Sequence, residues 1–431
     1  MRRIQGTEHE YTLYCTKLAK LGQDPHMLAL DLLRESDLQL AGEFISNGSR
    51  CYYDVGHLEI STCEVSNPFD LLIWEKAGEK IVDWLRRVEE EKYLSSGDRI
   101  WAFKNNTSPE GVSYGSHENY IVDRDVEFPA RFVKELVPHL STRFIYTGAG
   151  DILDGKYVLS PMIYLTSEVV SGETMHHTGL INTRDEPHSK KESWRRLHVI
   201  CGDALMNEVA IMLRNFTTSS ILQLMEMDKL GDVPRLKSPV DDMWANVEST
   251  KPEKWKVHLA DERIVSPIDI QRFYLSKIEN VAQDDGEKRA VKILEEILDD
   301  IENKRSKELA RRVEWLDRFY AIQEAKEKKS GPDVEMMACK QYSELGADRG
   351  IFYRRQAKGV VDRMLDDETI ARAVSEPPQD TRAALRRIIC DKFNIDSIDW
   401  SSVVVDDGGR RTIDLSDPYA HRLEDLHGAA G

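Results

Sequence analysis

The strongest constraint on the fold is an alternation of side chains near the start of the chain, Gly6-Thr7-Glu8-His9-Glu10-Tyr11. With Ile4 before it and Leu13 after it, the stretch carries the residues of a β-strand. Residues two apart in a strand point to the same side, so Glu8 and Glu10 project together from one face. Neighbouring carboxylates repel unless cations or donors come between them. A divalent cation with oxygen ligands, of the Mg²⁺ kind, is the economical answer. A solvent-facing polar strand is the plainer one, and the pair alone does not choose.

The 431 residues leave room for two or three domains, or one large domain with an appendage. Hydrophobic residues make up 41% and charged residues 31%, the proportions of a soluble globular chain. The net charge of -17 argues against grip on nucleic acid or an anionic membrane, so neither is expected as a partner. Met1-Arg2-Arg3-Ile4 runs straight into the strand without an apolar leader, and no apolar run is long enough for a bilayer. Cys15, Cys51, Cys63, Cys201, Cys339 and Cys390 form no CxxC pair. Reduced thiols and a cytoplasmic location are expected.

Strand signals dominate the first half and helix signals the second. Arg50 to Ile60 reads as an aromatic-rich strand on which Tyr52 and Asp54 share a face, with Asp54, His57 and Glu59 crowded at its end. Asn67-Pro68-Phe69-Asp70 has the cap, proline and acid of a helix start, and Leu71, Trp74, Ala77, Ile81, Trp84 and Val88 continue it at helical spacing as a packing stripe. Arg99 to Lys104 and Tyr114 to Val122 read as a hairpin-like pair of strands with His117 and Asn119 on one face. Further strands are expected at Arg143 to Thr147, Lys156 to Ser160 and Ile163 to Val169. Arg184 sits in an ionic loop, where it is either a bidentate phosphate contact or the partner of Asp185 or Glu186. Helices are expected at Asp24 to Leu38, Pro129 to Leu140, Asn207 to Met227, Ser266 to Glu279, Glu287 to Asn303 and Ser306 to Lys328. Past a break at Ser330-Gly331-Pro332 come helices at Asp367 to Ser375 and Thr381 to Phe393, a strand from Trp400 to Val405, and a loosely ordered tail after Asp406. The class this predicts is α+β: a mostly antiparallel sheet with helices on one face, in a large domain at 1–331, and a small C-terminal domain at 332–431.

The stretches GTEHEY from Gly6, YYDVGHLE from Tyr52, FKNNT from Phe103, SYGSHENY from Ser113, INTRDEPH from Ile181 and RRLHVICGD from Arg195 resemble, in order and spacing, the PafA/Dop family. That family comprises the ligase and the depupylase or deamidase of the small protein modifier Pup. RGIF from Arg349 and EPPQDTRAALR from Glu376 extend the resemblance. It implies a curved sheet like that of glutamine synthetase, holding ATP and Mg²⁺. It implies one cation cluster of Glu8, Tyr52 and Glu59 and a second of Glu10, His117 and His198. Asp54 falls on the catalytic aspartate, Arg184 on a phosphate contact, and Asn106 and Glu64 near the site. The partners implied are a Pup-like modifier and lysine-bearing proteins, in a pathway that serves a proteasome.

Three departures stand out. The usual His-Pro-Glu-Tyr reads His57-Leu58-Glu59-Ile60, His9 stands where Thr or Val is common, and Met162 replaces an expected arginine. Depupylases carry a long insertion after the first strand, and Leu21 to Asn47 is too short for it. That favours an ATP-dependent ligase over a depupylase or deamidase. A binding homologue that has lost catalysis is the third alternative, suggested by Met162.

Overall fold

The computed structural model describes residues 2–95, 97–108, 111–173, 178–304, 306–329, 331 and 333–426. Strand β1 (Gln5–Tyr14) lies at the middle of the main sheet and keeps the alternation of its sequence. Thr7, His9, Tyr11 and Leu13 are buried on one face, while Glu8 and Glu10 remain partly open on the other. The next strands are β2 (Gln39–Ala41), β3 (Phe44–Ile45), β4 (Arg50–Asp54), β5 (His57–Ser61), β6 (Trp101–Phe103) and β7 (Ser116–Asp123). A small hairpin, β8 (Asp151–Leu153) and β9 (Lys156–Val158), precedes β10 (Glu168–Ser171), β11 (Gly179–Asn182) and β12 (Trp194–Val199). Among the described residues the main sheet has ten strands, ordered β10-β11-β12-β7-β1-β5-β4-β3-β2, with β6 on the far end of β1. The β10–β11 pair is parallel and the others are antiparallel.

Two helices, Pro68–Tyr93 and Glu208–Glu226, cover the closed face of this sheet. Each is capped by the asparagine before it, Asn67 and Asn207, whose side chain accepts from two backbone N–H groups. A Cβ at Gly78 would meet Tyr11 Oη at 3.3 Å, so the glycine lets the first helix approach β1 closely. Charged groups buried under the sheet pair with one another. His9 Nε2 lies 3.0 Å from Glu75 Oε2, Arg214 also meets Glu75, and Lys104 Nζ lies 3.0 Å from Glu79. Burial, with Lys104 nearby, pushes the His9 imidazole down to about 4, so the ring is neutral at pH 7. His9 therefore belongs to the packing beneath β1 and not to the open face.

The chain departs from its sequence reading where apolar runs mislead. Arg143 to Thr147 is no strand: Phe144–Thr147 is a helical turn with every residue buried. An apolar run buried on all sides has no period to read. Ile163 to Val169 divides into the helix Pro161–Leu165 and β10. Ser160 Oγ accepts from Ile163 N at 3.3 Å there, the same Ser-Pro start that opens the helix Pro267–Glu279. Arg50 to Ile60 is a hairpin of two strands, because Val55-Gly56 turns the chain. β6 and β7 do not pair with each other; each lies against β1. Ser306 to Lys328 is two helices, Ser306–Ala310 and Glu314–Lys328, and Pro129 to Leu140 is likewise two, Ala130–Glu135 and Val137–Leu140. Trp84 falls off the packing stripe and is 36% exposed.

Beyond Val257–His258 (β13) and Ile264–Val265 (β14), the last sheet joins β15 (Ile395–Ile398), β16 (Ser402–Asp406) and β17 (Arg410–Asp414). The tail expected to be loose after Asp406 thus contains a strand, registered from Asp406↔Arg410 to Ser402↔Asp414. With the helix Arg382–Lys392 this sheet encloses its own apolar cluster, including Leu385, Ile389, Val403 and Ile413. Tyr342, Leu345, Phe352 and Val361 instead pack in the cluster of Tyr11 and Ile60. Ser330 and Pro332, of the break expected there, lie outside the described residues.

Candidate functional site

The open face of the sheet is the floor of a cleft of about 890 Å³. Register explains what gathers there. Glu8 stands opposite His117 on β7, and Glu10 opposite Glu59 on β5. Glu59 in turn faces Tyr52 on β4, and His198 on β12 faces Asn119 on β7. Strand pairing alone therefore brings side chains from five strands to one surface.

The floor holds two clusters of ligand atoms, each within 4.8 Å: Glu8, His117 and His198, and Glu10, Asp54 and Glu59. Glu8 Oε2 lies 3.3 Å from His117 Nδ1 and 3.6 Å from His198 Nε2. Asn119 Nδ2 donates to Glu8 Oε1 at 3.0 Å. Burial works to raise the Glu8 carboxyl, but the two imidazoles outweigh it and hold it well below the usual range. Glu10 accepts from Gly115 N at 3.0 Å. A Cβ on Gly115 would meet the His117 ring at 2.7 Å and Glu10 Oε1 at 2.8 Å, so only glycine fits beside them. Tyr52 Oη donates to Glu59, and Ser61 Oγ does so at 3.2 Å. Burial, and next the Glu8 charge, push Glu59 up to about 8; burial also raises Glu10. Carboxylates so raised gain from a cation that neutralises them.

The resemblance grouped Glu8 with Tyr52 and Glu59, and Glu10 with the histidines. The closest approaches run the other way, joining Glu8 to both histidines and Glu10 to Asp54 and Glu59. Asn106 does not join the cleft at all. It is 1% exposed, its Nδ2 donates to Tyr114 O, and its Oδ1 accepts from Ala204 N, so its amide braces two loops. Glu64 reaches the cleft edge but is held by Arg382 and Arg386 from the C-terminal unit. Arg184 lines the cleft, and its guanidinium makes no ion pair among the described residues. Its neighbours are taken: Asp185 by Arg124 and Arg195, and Glu186 by Arg196. Met162 lines the cleft wall and its N donates to Asp203 Oδ1 at 3.0 Å.

Four further side chains belong to this surface. His57 Nδ1 is 3.4 Å from Glu10, and Arg196 Nη1 is 3.7 Å from Glu8. At one end of the cleft the Arg50 guanidinium lies 5.2 Å from the Tyr52 ring and 5.9 Å from the Trp400 ring. His57 and Arg196 lay within motifs already singled out. Arg50 and Trp400 carried no local signal, since their contact joins β4 to the C-terminal unit.

The family model for Pup-ligase protein matches residues 21–404. The chain belongs to the Pup-ligase family. The Pup–protein ligase of Acidimicrobium ferrooxidans is 35% identical over 98% of this chain and 97% of its own length. The depupylase of Acidothermus cellulolyticus is 33% identical over 92% of this chain and 80% of its own. A crystal structure of the complex between Pup and its ligase PafA superposes with a TM-score of 0.86 at 27% identity, covering 99% of this chain and 91% of that one. PafA in complex with ADP superposes at 0.79, again at 27% identity, covering 94% and 92%. The α+β fold and membership of an enzyme family expected from the motifs both hold.

Proposed function

We propose that this protein is an ATP-dependent ligase that joins the side-chain carboxylate of a C-terminal glutamate on a Pup-like modifier to lysines of target proteins. One observation carries this over hydrolysis: the chain spans 97% of the ligase relative but 80% of the depupylase relative. The short connection from β1 to β4, residues 15–49, agrees with it. Pup and ADP, bound by the structural relatives, supply the substrate classes.

A carboxylate and an ammonium do not condense near neutral pH without activation. In the proposed sequence a carboxylate oxygen of the modifier attacks the γ-phosphorus of ATP, and ADP leaves. The neutral amine of the lysine then attacks the acyl carbon, the C–N bond forms, and phosphate departs with the C–O electron pair. Asp54 takes the proton that the amine loses. Arg184, with no ion pair among the described residues, takes triphosphate oxygens in a planar fork. Arg50 and Trp400 offer a flat cationic and aromatic surface to the base.

The donor set fits divalent cations. Glu10, Asp54 and Glu59 offer only oxygen, as Mg²⁺ prefers. In the other cluster His198 is 3% exposed, yet neither ring nitrogen has a hydrogen-bond partner among the described residues. Glu8, Glu10, Tyr52, Glu59, His117 and His198 would hold the cations, which would supply neutralisation of charge on the transferring phosphoryl group. The apolar clusters support a division near Pro377-Pro378, with ATP and cation binding mainly before it. Six unpaired cysteines support a reducing, cytoplasmic setting.

A second reading, depupylase or deamidase, is favoured by the 33% identity to the depupylase relative. The test incubates the protein with ATP, a lysine-bearing substrate, and a modifier ending in Glu or in Gln. Conjugation of the Glu-ended form is expected on a gel. Hydrolysis of the Gln-ended form or of a finished conjugate, without ligation, would establish the second reading. Neither reaction, with nucleotide still bound, would mark a binding homologue.

A further inference from the structure

The turn that joins β4 to β5 is built against the preferences of one of its residues. Val55 has φ +40° and Gly56 φ +95°. Two-residue hairpins need this left-handed pair, and Asn-Gly supplies it with little strain. A β-branched side chain suits it badly, because its Cβ crowds the backbone. Val55 is also 67% exposed, the most of any large apolar side chain described. Neither packing nor backbone preference accounts for it, and strain kept at such a place points to function.

Two of the exposed large apolar side chains line the cleft: Val55, and Val112 at 59% exposure. They stand on separate loops that the His57 and Tyr114 rings join, with centroids 4.5 Å apart. Beside Val55 comes Asp54, whose ligand oxygen lies within 4.8 Å of those of Glu10 and Glu59. An apolar rim thus stands beside the acidic side chain of Asp54. That is the complement of a primary alkylammonium, which has a hydrocarbon stem and a charged head.

We propose that Val55 is a specificity-determining residue that receives the four-carbon stem of the acceptor lysine, with Val112 as the opposite wall. The inference rests on the ligase reading above. The stem lies against the two valines while the amine reaches Asp54, so the turn is kept strained in order to hold a methyl-bearing surface at the rim.

The test uses the full chain with ATP, a Glu-ended modifier and two amines of similar basicity. n-Butylamine reproduces the lysine side chain, and methylamine lacks its stem. The wild-type protein is expected to prefer n-butylamine in kcat/KM. In Val55→Asn that preference is expected to fall roughly tenfold, the worth of a methylene-sized apolar contact, with methylamine turnover held within about twofold. KM for a lysine-bearing protein rises by a similar factor while kcat holds. The thermal midpoint does not fall, because Asn suits the turn, and Val55→Ile restores the preference. An unchanged ratio of the two amines in Val55→Asn overturns the assignment. So does an equal loss with both, which would mean that Asp54 had been displaced. A wild-type protein that conjugates neither amine nor protein lysine overturns the ligase reading itself, and the stem contact with it.

Discussion

Glu59 and Glu64 are close in sequence and buried alike, at 5% and 8% exposure, yet the fold treats them in opposite ways. Glu64 lies between Arg382 and Arg386, which overcome the cost of burial and hold its carboxyl down at about 2. Glu59 has hydroxyl donors from Tyr52 and Ser61 but no lysine or arginine paired with it among the described residues, and burial with the Glu8 charge pushes it up to about 8. A buried carboxylate that the chain neutralises itself is a structural clamp. A group of carboxylates that the chain leaves unneutralised is where an outside cation gains most. The first ties the small C-terminal unit to the sheet, and the second makes the sheet a site.

The sharpest way to break this contrast is at Asp54, on the unneutralised side. Asp54→Ala is expected to cut conjugation by about a thousandfold, the scale of a lost general base. Affinity for ADP, measured by calorimetry, should change by less than about threefold, since the base-binding end is elsewhere. Retained turnover would remove Asp54 from the reaction.

On the clamp side, Arg386→Met leaves Glu64 with Arg382 alone and removes the donor to Trp400 O, which it meets at 3.1 Å. Losing one partner of a buried ion pair costs about 3–5 kcal/mol, measurable by denaturant unfolding. The pH dependence has a definite sign. Glu64 is depressed in the folded chain, so its contribution is complete above its ordinary 4.5 and disappears as pH falls through about 2. That contribution is about 3 kcal/mol. In Arg386→Met the acid transition should begin at higher pH, and an unmoved transition would mean that the arginines do not hold Glu64 down.

Glu59 should respond in the reverse sense. Its folded value is raised, so the folded chain keeps a proton that the unfolded chain has lost. Stability of the cation-free protein therefore falls as pH rises from 4.5 toward 8. Glu59→Gln flattens that slope and raises the cation-free midpoint at pH 7 by roughly 2 °C. Millimolar Mg²⁺ is expected to stabilise the wild-type chain, and to do so less in Glu59→Gln. A midpoint lowered by the glutamine would show that the chain neutralises Glu59 after all.

What was legible in the sequence followed from local rules. The two-residue period put Glu8 and Glu10 on one face, and the caps at Asn67 and Ser266 opened helices where their side chains could bond the first free N–H groups. The partners of those carboxylates depend on register between distant strands, Glu8↔His117 and Glu10↔Glu59, which no local pattern encodes. These side chains therefore share one face, while their closest approaches pair them differently from the grouping that the resemblance implied. Asn106 lies in FKNNT, one of the motifs that carry the resemblance, while its amide is committed to backbone groups of two loops. Arg50 and Trp400 form a surface only after the C-terminal unit docks, and Glu64 gave no sign in the sequence of the two arginines that claim it.

The smallest expected effect concerns Met162, where the resemblance led us to expect an arginine. Met162 lines the cleft at 4% exposure, and its backbone N–H is fixed to Asp203. The side chain alone is thus open to replacement, and Met162→Arg adds a charge without moving the helical turn that carries it. At a separation of several ångströms and an effective dielectric near 20, one more cation is worth roughly 1–2 kcal/mol to a triphosphate. That predicts ATP binding tighter by about fivefold to thirtyfold, and a lower Mg²⁺ requirement, both read by titration. The effect on conjugation should be smaller, because the cation acts on substrate and transition state nearly alike. Weaker ATP binding in this variant would mean that the wall at Met162 faces the modifier or the acceptor and not the phosphates. The contrast between neutralised and unneutralised carboxylates would then end at the floor of the cleft and not extend to its walls.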